Sequence, residues 1–422
     1  MRIEVLTIGD ELLLGYTLDT NAAHLARELA ACGVEIVRRA TVGDDATLIA
    51  TAVAEALGRS DGVITTGGLG PTSDDLTKPA IAALFGREMR LDASILEAMR
   101  KRWQDRGWPG ELPLANHQQA MIPDGARVLT NHHGSAPGIW LENESARWVA
   151  MLPGVPREMR GMLADTLLPL LKTRVGDNAG VVRSRTLRTT GIGESALADS
   201  IASAGAHAQD ATLAYLPSYA GTDLRLTVRG RSSAEADGIL TANLARLADV
   251  AGPFAYGEDD ADLAGVVLAL CRARGVRIAV AESCTGGMLG MRLTAIAGSS
   301  DVVLGGVIAY EDLVKGKLLG VRASDIAEHG AVSEQVARVM ASNVKRTLGA
   351  EVGIAITGVA GPGGGSPEKP VGTVWIAADV GGDVHARRLN LIGDRHEIRQ
   401  RATQGALDLV RRKMLASASD PR

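Results

Sequence analysis

In the last third of the sequence, hydroxyl groups and one lysine recur at the ends of strand-like stretches: Ser283, Thr285, Ser299, Ser300, Tyr310, Lys315 and Thr357. The eight histidines avoid these loops, so a Ser-His-Asp triad is excluded. A serine nucleophile without histidine needs another base, and a lysine can serve when desolvation lowers its pKa. Ser300 precedes the strand-like stretch 302–309, and Tyr310 and Lys315 follow it. That order permits a Ser300–Lys315 pair with Tyr310 relaying a proton. Ser283 is the other candidate nucleophile, in the run Ala281-Glu282-Ser283-Cys284-Thr285-Gly286-Gly287 directly after the apolar stretch 276–280. A strand that breaks into hydroxyls and glycines before a helix presents bare N–H groups to a ligand, here at Thr285, Gly286 and Gly287. Gly361, Gly363 and Gly364, in the loop 361–365, add backbone donors for a phosphate or an oxyanion. A single serine there is more often a helix cap, and Lys315 beside Lys317 more often a surface charge. Taken together, the set points to nucleophilic catalysis.

A second constellation lies near the start. The run Thr65-Thr66-Gly67-Gly68-Leu69-Gly70-Pro71-Thr72-Ser73-Asp74-Asp75 combines a glycine loop with two carboxylates. Its N–H groups can cradle a phosphate at a helix start. Asp10, Glu11, Asp74 and Asp75 can hold a hard cation through oxygen ligands, and a metal bridging two phosphates activates water for pyrophosphate cleavage. The competing reading of Asp74 and Asp75 is favourable charge at a helix N-terminus.

The elements that must position these groups follow from periodicity. Strand-like and helix-like stretches alternate as β (3–8), α (21–31), β (35–42), α (46–57) and β (62–66), which predicts a parallel sheet with helices on both faces. Ligands of such sheets bind beyond the C-terminal strand ends, where Gly9-Asp10-Glu11 and Gly67-Gly68 fall. A helix is expected over 73–84. A middle segment reads as a small α+β domain, because two of its strands are adjacent. From 261 onward a helix, the strand 276–281, the strand 302–309 and the strand 352–357 give a second α/β layer set, ending in strands 373–378 and 385–391 and a long helix from about 395. The expected architecture is α/β, two three-layer αβα domains joined by a small α+β domain, with boundaries 1–172, 173–256 and 257–422.

The chain has 422 residues, a charged fraction of 22%, aromatics at 3% and a formal net charge of −4. Few aromatics and no basic excess argue against nucleic acid or an anionic membrane as partner. The three cysteines, Cys32, Cys271 and Cys284, are sparse and contain no C-x-x-C pair. They read as reduced thiols of a cytoplasmic protein, and no apolar run is long enough to span a bilayer. Thr190-Gly191-Ile192-Gly193-Glu194 could be a nucleic-acid clamp loop, but no basic cluster or aromatic platform stands beside it.

Longer motifs carry a resemblance. The run 281–287, Gly305-Gly306-Val307-Ile308-Ala309-Tyr310, His329-Gly330-Ala331-Val332-Ser333, 355–364 and Lys369-Pro370-Val371-Gly372-Thr373-Val374 are similar to the CinA C-terminal family. That family includes deamidases of nicotinamide mononucleotide (NMN), which yield nicotinate mononucleotide and ammonia without a cofactor. The resemblance implies a Ser/Lys amidohydrolase over residues 260–415, with Ser300 as nucleophile and Lys315 as base. Ser283 remains an alternative nucleophile. Tyr310, Ser283 and Thr357 would orient the carboxamide or stabilise the oxyanion, and Arg399 would meet the phosphate. The motifs 7–15, Asp19-Thr20-Asn21, 65–75, Gly134-Ser135-Ala136-Pro137-Gly138 and 152–159 resemble the molybdopterin-binding-type domain at the front of CinA. In bifunctional members it hydrolyses ADP-ribose to AMP and ribose 5-phosphate. This resemblance implies a divalent metal (Mg2+, Mn2+ or Co2+) with K+ as an optional companion. It places Gly67, Gly68, Gly70, Thr72, Ser73, Asn21, Pro153 and Gly154 at the substrate. A homodimer of a pyridine-nucleotide salvage enzyme is expected. The alternative is a nucleotide- or molybdopterin-binding accessory or sensor protein linked to competence.

Overall fold

The computed structural model describes residues 1–176 and 180–416. Residues 177–179, near the start of the expected middle domain, and 417–422, at the end of the expected third, lie outside the described residues. Contacts divide the chain into two units, Met1–Arg183 with Val228–Asp237, and Ser184–Thr227 with the chain from Gly238 onward.

In the first unit, alternation along the strands creates two apolar faces. Strands β1 (Arg2–Ile8), β2 (Glu35–Val42) and β3 (Gly62–Thr66) are parallel. The antiparallel pair β4 (Met89–Leu91) and β5 (Met121–Pro123) stands apart as a ribbon. Strands β6 (Arg127–Leu129), β7 (Gly138–Glu142) and β8 (Trp148–Leu152) complete a six-stranded sheet of order β2-β1-β3-β8-β7-β6, with β8 parallel to β3 and β7 antiparallel to β8. Ile3, Val5 and Ile64 face the helix Thr20–Ala31 and the helices after Pro156, together with Trp140 and Trp148. Those two indoles stack with centroids 4.2 Å apart. Leu6, Ile8, Val63 and Val149 face the helices Ala46–Arg59 and Thr77–Leu84. Burying both faces requires helices on both sides, the three-layer outcome. The second of these helices begins at Thr77, not 73, because residues 70–75 are held as a loop.

The second unit contains most of a four-stranded sheet formed by β9 (Val181–Thr189), β10 (Thr212–Pro217), β11 (Thr222–Arg231) and β12 (Ala255–Glu258), in the order β10-β11-β9-β12. A five-stranded sheet follows, formed by β13 (Ile278–Glu282), β14 (Val303–Ile308), β15 (Val352–Gly358), β16 (Thr373–Val380) and β17 (Asp383–Asn390), in the order β14-β13-β15-β16-β17. Strands β14, β13 and β15 are parallel, and β16 and β17 antiparallel. Ile278, Val280, Ile354 and Ile376 pack on the helix Leu263–Arg274 and the terminal helix Arg395–Ala416. The opposite face is lined by alanines 279, 281, 355 and 377, which lets the helix Glu334–Leu348 seat Val336, Met340 and Val344 close to the sheet. Each of these large side chains contributes about 1.5–3 kcal/mol by leaving water. Both large sheets are therefore covered on two faces. Within the second unit the terminal helix bonds directly to residues 190 and 253–255. No helix among the described residues is long and apolar enough to cross a membrane.

Candidate functional site

In the first unit the C-terminal ends of β1, β3 and β8 open on a cleft of about 540 Å³. Thr66 Oγ1 donates to Pro153 O at 2.9 Å. Asn21 Nδ2 donates to Thr66 Oγ1 at 3.1 Å and Gly154 O at 2.7 Å, which fixes the amide orientation. Among the described residues Asn21 Oδ1 is left buried without a partner. A buried acceptor left unmade is costly, so it is a ready partner for a ligand donor. Gly67 has φ +114°, and a Cβ there would stand 2.1 Å from Ile8 O, so only glycine lets β1 and β3 end this close together. These contacts join Asn21, Gly67, Gly68, Gly70, Pro153 and Gly154 along one cleft wall. Ser73 is exposed and is not part of the lining.

The metal set expected from sequence is rearranged. Asp75 uses its carboxylate on the loop itself, accepting from Gly70 N at 2.7 Å, Thr72 N at 2.8 Å and Thr72 Oγ1. It fills the nest that the glycine run was expected to offer a phosphate, and Thr72 is committed with it. Asp10 turns to Asp44: Asp10 N donates to Asp44 Oδ2 at 2.9 Å, and Asp44 N donates to Asp10 Oδ1 at 3.3 Å. Glu11 and Asp74 do line the cleft, joined by Asp44. Burial, reinforced by the carboxylates of Asp10, Glu11 and Asp74, pushes the Asp44 carboxyl above its usual range. Sequence reasoning missed Asp44, although it follows β2 just as Asp10 follows β1. Among the described residues no three His, Cys, Asp or Glu side chains converge as a ready metal centre. Lys78, 1% exposed, donates to the carbonyls of Gln118, Gln119 and Met121 at 2.6, 3.0 and 3.1 Å. It thereby holds Gln119 on the cleft wall. Burial lowers its pKa to about 8, against the pull of Asp75.

In the second unit, register brings the strand ends level. Glu282 of β13 pairs with Ile308 of β14 and with Ile356 of β15. Ser283, Ala309 and Thr357 therefore stand side by side, on backbones about 4.8 Å apart. Ser283 N donates to Ile356 O at 2.9 Å and Ala309 N to Glu282 O at 2.7 Å. Thr357 is fully buried and Oγ1 donates to Ala331 O at 2.9 Å. Tyr310 follows Ala309 and is largely exposed. Lys315, in the helix Asp312–Leu319, is 2% exposed, and Nζ donates to Asp312 Oδ1 at 3.0 Å and Tyr310 O at 3.3 Å.

Two guanidinium groups approach from the start of the terminal helix. Arg395 donates to Tyr310 Oη at 2.8 Å and Gly361 O at 2.7 Å. Arg399 donates to Thr285 O at 2.6 Å through Nη2. Both line a cleft of about 520 Å³ with Gly361, Pro362, Gly393 and His396, outside whose lining Ser283 and Lys315 lie. Gly363 and Gly364 are exposed and also lie outside it. Thr285 Oγ1 is buried without a partner among the described residues. Arg395 was missed; two arginines four residues apart at a helix start were the available signal.

Two expectations are corrected. Ser300 and Lys315 do not meet. Ser300 lies before β14 and Lys315 after it, and six strand residues separate the two ends by roughly 20 Å. Arg272 ties the Ser300 end down by donating to Gly298 O at 2.9 Å and Asp301 Oδ2 at 2.6 Å. Nor are the N–H groups of Gly286 and Gly287 bare. Gly286 N donates to Ser283 O at 3.0 Å. Glu282, 1% exposed, accepts from Gly287 N at 3.0 Å, Leu289 N at 3.0 Å and Gly290 N at 2.8 Å, so this carboxylate caps the helix Met288–Thr294 from beneath. Cys284, beside Ser283, is no rival nucleophile, since burial pushes its thiol up to about 12.

Comparison with known proteins agrees with this division of sites. Residues 260–414 match the model of the CinA C-terminal domain, residues 4–173 that described as "Probable molybdopterin binding domain", and residues 184–257 the damage-inducible protein CinA KH domain. A CinA-like protein of Gemmatimonas aurantiaca is 60% identical over 420 residues, covering 100% of this chain and 98% of that protein. One from Salinibacter ruber is 41% identical over 415 residues, covering 98% and 100%. Among solved structures, the competence damage-inducible protein A of Klebsiella pneumoniae subsp. pneumoniae is 37% identical over 36% of this chain and 95% of its own, with a TM-score of 0.36. With a near full-length relative at this identity, and both strand-end sites on matching domains, the chain belongs to the CinA-like family.

Proposed function

We propose that the protein is a two-site nucleotide hydrolase, deamidating NMN at the β13–β14–β15 strand ends and cleaving the pyrophosphate of ADP-ribose in the first-unit cleft. The observation that carries the first activity is the level placement of Ser283 beside Ala309 and Thr357, with Tyr310 next in the chain and buried Lys315 reaching back to the Tyr310 carbonyl. In this reading Ser283 Oγ adds to the carboxamide carbon, and its proton passes by way of Lys315 to the departing amide nitrogen. Collapse expels ammonia, and water then releases nicotinate mononucleotide from the acyl-serine. Arg395 and Arg399 supply the positive charge for the nucleotide phosphate. Ser283, not Ser300, is the nucleophile.

For the second activity, a divalent cation fits the chemistry of the donors. Glu11, Asp44 and Asp74 present oxygen ligands, and burial, with the neighbouring carboxylates adding to it, raises the Asp44 carboxyl. With no three converging, the ion would be held by one or two carboxylates, completed by water and substrate phosphate, the habit of Mg2+. When bound it neutralises pyrophosphate charge. The protein itself supplies the Asn21 acceptor for a sugar hydroxyl and the glycine loop for close approach of the phosphates.

The deciding measurement is ammonia release from NMN by Ser283→Ala and Ser300→Ala. Ser283→Ala is expected to lose at least about a thousandfold in kcat, as when a serine nucleophile is removed, while Ser300→Ala stays near wild type. The reverse pattern overturns the assignment.

A further inference from the structure

The Thr190-Gly191-Ile192-Gly193 loop, weighed above as a nucleic-acid clamp, is occupied within its own unit. Thr190 is 3% exposed and its N–H donates to Phe254 O at 3.0 Å. The terminal helix lies against it: Gln404 Nε2 donates to Thr190 Oγ1 at 3.2 Å and Arg412 Nη2 to Thr190 O at 3.4 Å. Gly191 has φ +77°, and a Cβ there would come 3.1 Å from Arg412 Nη2 and 3.2 Å from Asp408 Oδ2. Buried Asp408 pairs with Arg411 at 2.8 Å, and Arg411 donates onward to Ala255 O at 3.0 Å. The helix thus takes the Thr190 end of the loop, while Gly191 and Gly193 stay exposed.

Gln404, 3% exposed, has a second partner. Its Oε1 accepts from Arg292 Nη1 at 2.6 Å. Arg292 belongs to the helix Met288–Thr294, whose N-terminus Glu282 caps and which follows directly on the Ser283 loop. Gln404 itself sits on the helix that carries Arg395 and Arg399. One buried amide thus joins the 190–193 loop to both elements that build the strand-end site. Gln404 satisfies both at once, its carbonyl oxygen accepting from Arg292 and its amide nitrogen donating to Thr190.

We propose that Thr190 and Gln404 are positioning residues: through them the 190–193 loop sets the terminal helix against the helix Met288–Thr294, and so places Arg399 and the Ser283 loop. The middle segment is then a brace for the rear site. The kinetic consequence rests on the deamidase reading, whereas the structural one does not.

The test compares wild type with Thr190→Val, which keeps shape and removes the acceptor, Thr190→Ser, which restores it, and Gln404→Met as a second disconnecting variant. Hydrogen exchange of the amides at 283–290 and NMN kinetics are read on the full chain. Loss of one buried hydrogen bond is expected to raise KM for NMN by about three- to tenfold with little change in kcat. Exchange at 283–290 is expected to speed up in Thr190→Val and Gln404→Met and to return to normal in Thr190→Ser. Wild-type exchange at 283–290 in folded Thr190→Val and Gln404→Met overturns the proposal, whatever their melting temperatures. If wild type releases no ammonia from NMN, the deamidase reading fails by itself, and the exchange comparison alone decides.

Discussion

The two glycine-bearing strand ends solve the same problem with opposite consequences. Each exposes backbone N–H groups as its strand breaks, and in each a carboxylate of the chain itself has taken them. At the front site the carboxylate is Asp75, which is partly exposed on the cleft wall. At the rear site it is Glu282, which is 1% exposed and lies beneath the loop. A carboxylate at a cleft surface can give way to a ligand phosphate, or turn to a cation, at small cost. One sealed under a helix cannot. The front loop therefore stays available for anion chemistry, whereas the rear loop is a rigid mount whose product is the placement of Ser283. Glycine-rich sequence alone does not distinguish a cradle from a mount; where the nearest carboxylate lies does.

This contrast can be broken in several ways. The largest expected effect is metal dependence confined to one site. Chelation should abolish AMP release from ADP-ribose, by about a thousandfold or more, and leave ammonia release from NMN unchanged. Asp44→Asn should weaken the apparent metal affinity at least about tenfold, read by titrating Mg2+ against AMP release. Equal sensitivity of both activities to chelation would erase the distinction.

Next in size, Glu282→Gln should destabilise the second unit by about 2–3 kcal/mol in denaturant unfolding, because its N–H donors lose a charged acceptor. Asp75→Asn should cost only about 1 kcal/mol, since water can replace its bonds. Similar losses would show that burial is not what separates them.

The last test is a pH slope from Lys78. Its folded pKa, about 8, lies below its ordinary value of 10.5, so the unfolded chain binds more protons in between. The cost of burying the charge is fully present below pH 8 and is relieved as pH rises toward 10.5. Wild type should therefore gain on Lys78→Met by about 2 kcal/mol between roughly pH 8 and pH 9.5 in urea unfolding. A flat difference would mean that the three carbonyl partners keep the ammonium charged.

Much of the architecture was legible because periodicity reports burial. The alternation of Ile3, Val5 and Ile64 against Leu6, Ile8 and Val63 announces a sheet covered on two faces. The placement of Ser283, Tyr310, Lys315 and Thr357 at one sheet edge was legible too, since the first three follow, and Thr357 lies near the end of, strands that prove parallel. Ser300 misled because chain proximity to Lys315 spans the length of β14, and linear order does not say which end of a strand a residue occupies. Glu282 and Asp75 were opaque for a different reason. A carboxylate beside a glycine loop reads equally as ligand, plug or cap until its hydrogen bonds are traced. Asp44 and Arg395 were overlooked because no long motif surrounds them, although each repeats the position or spacing of a residue that was noticed.

The indole stack of Trp140 on Trp148 has an optical consequence. Four of the five tryptophans, Trp103, Trp108, Trp140 and Trp148, belong to the first unit, and Trp375 alone to the second. Trp140 and Trp148 are buried and nearly parallel, their ring planes 14° apart, so intrinsic fluorescence is weighted toward the front half and its blue-shifted part comes from there. Replacing Trp375 by Phe leaves an emission signal from the first unit alone. The first unit can then be watched by itself as nucleotide or denaturant is added.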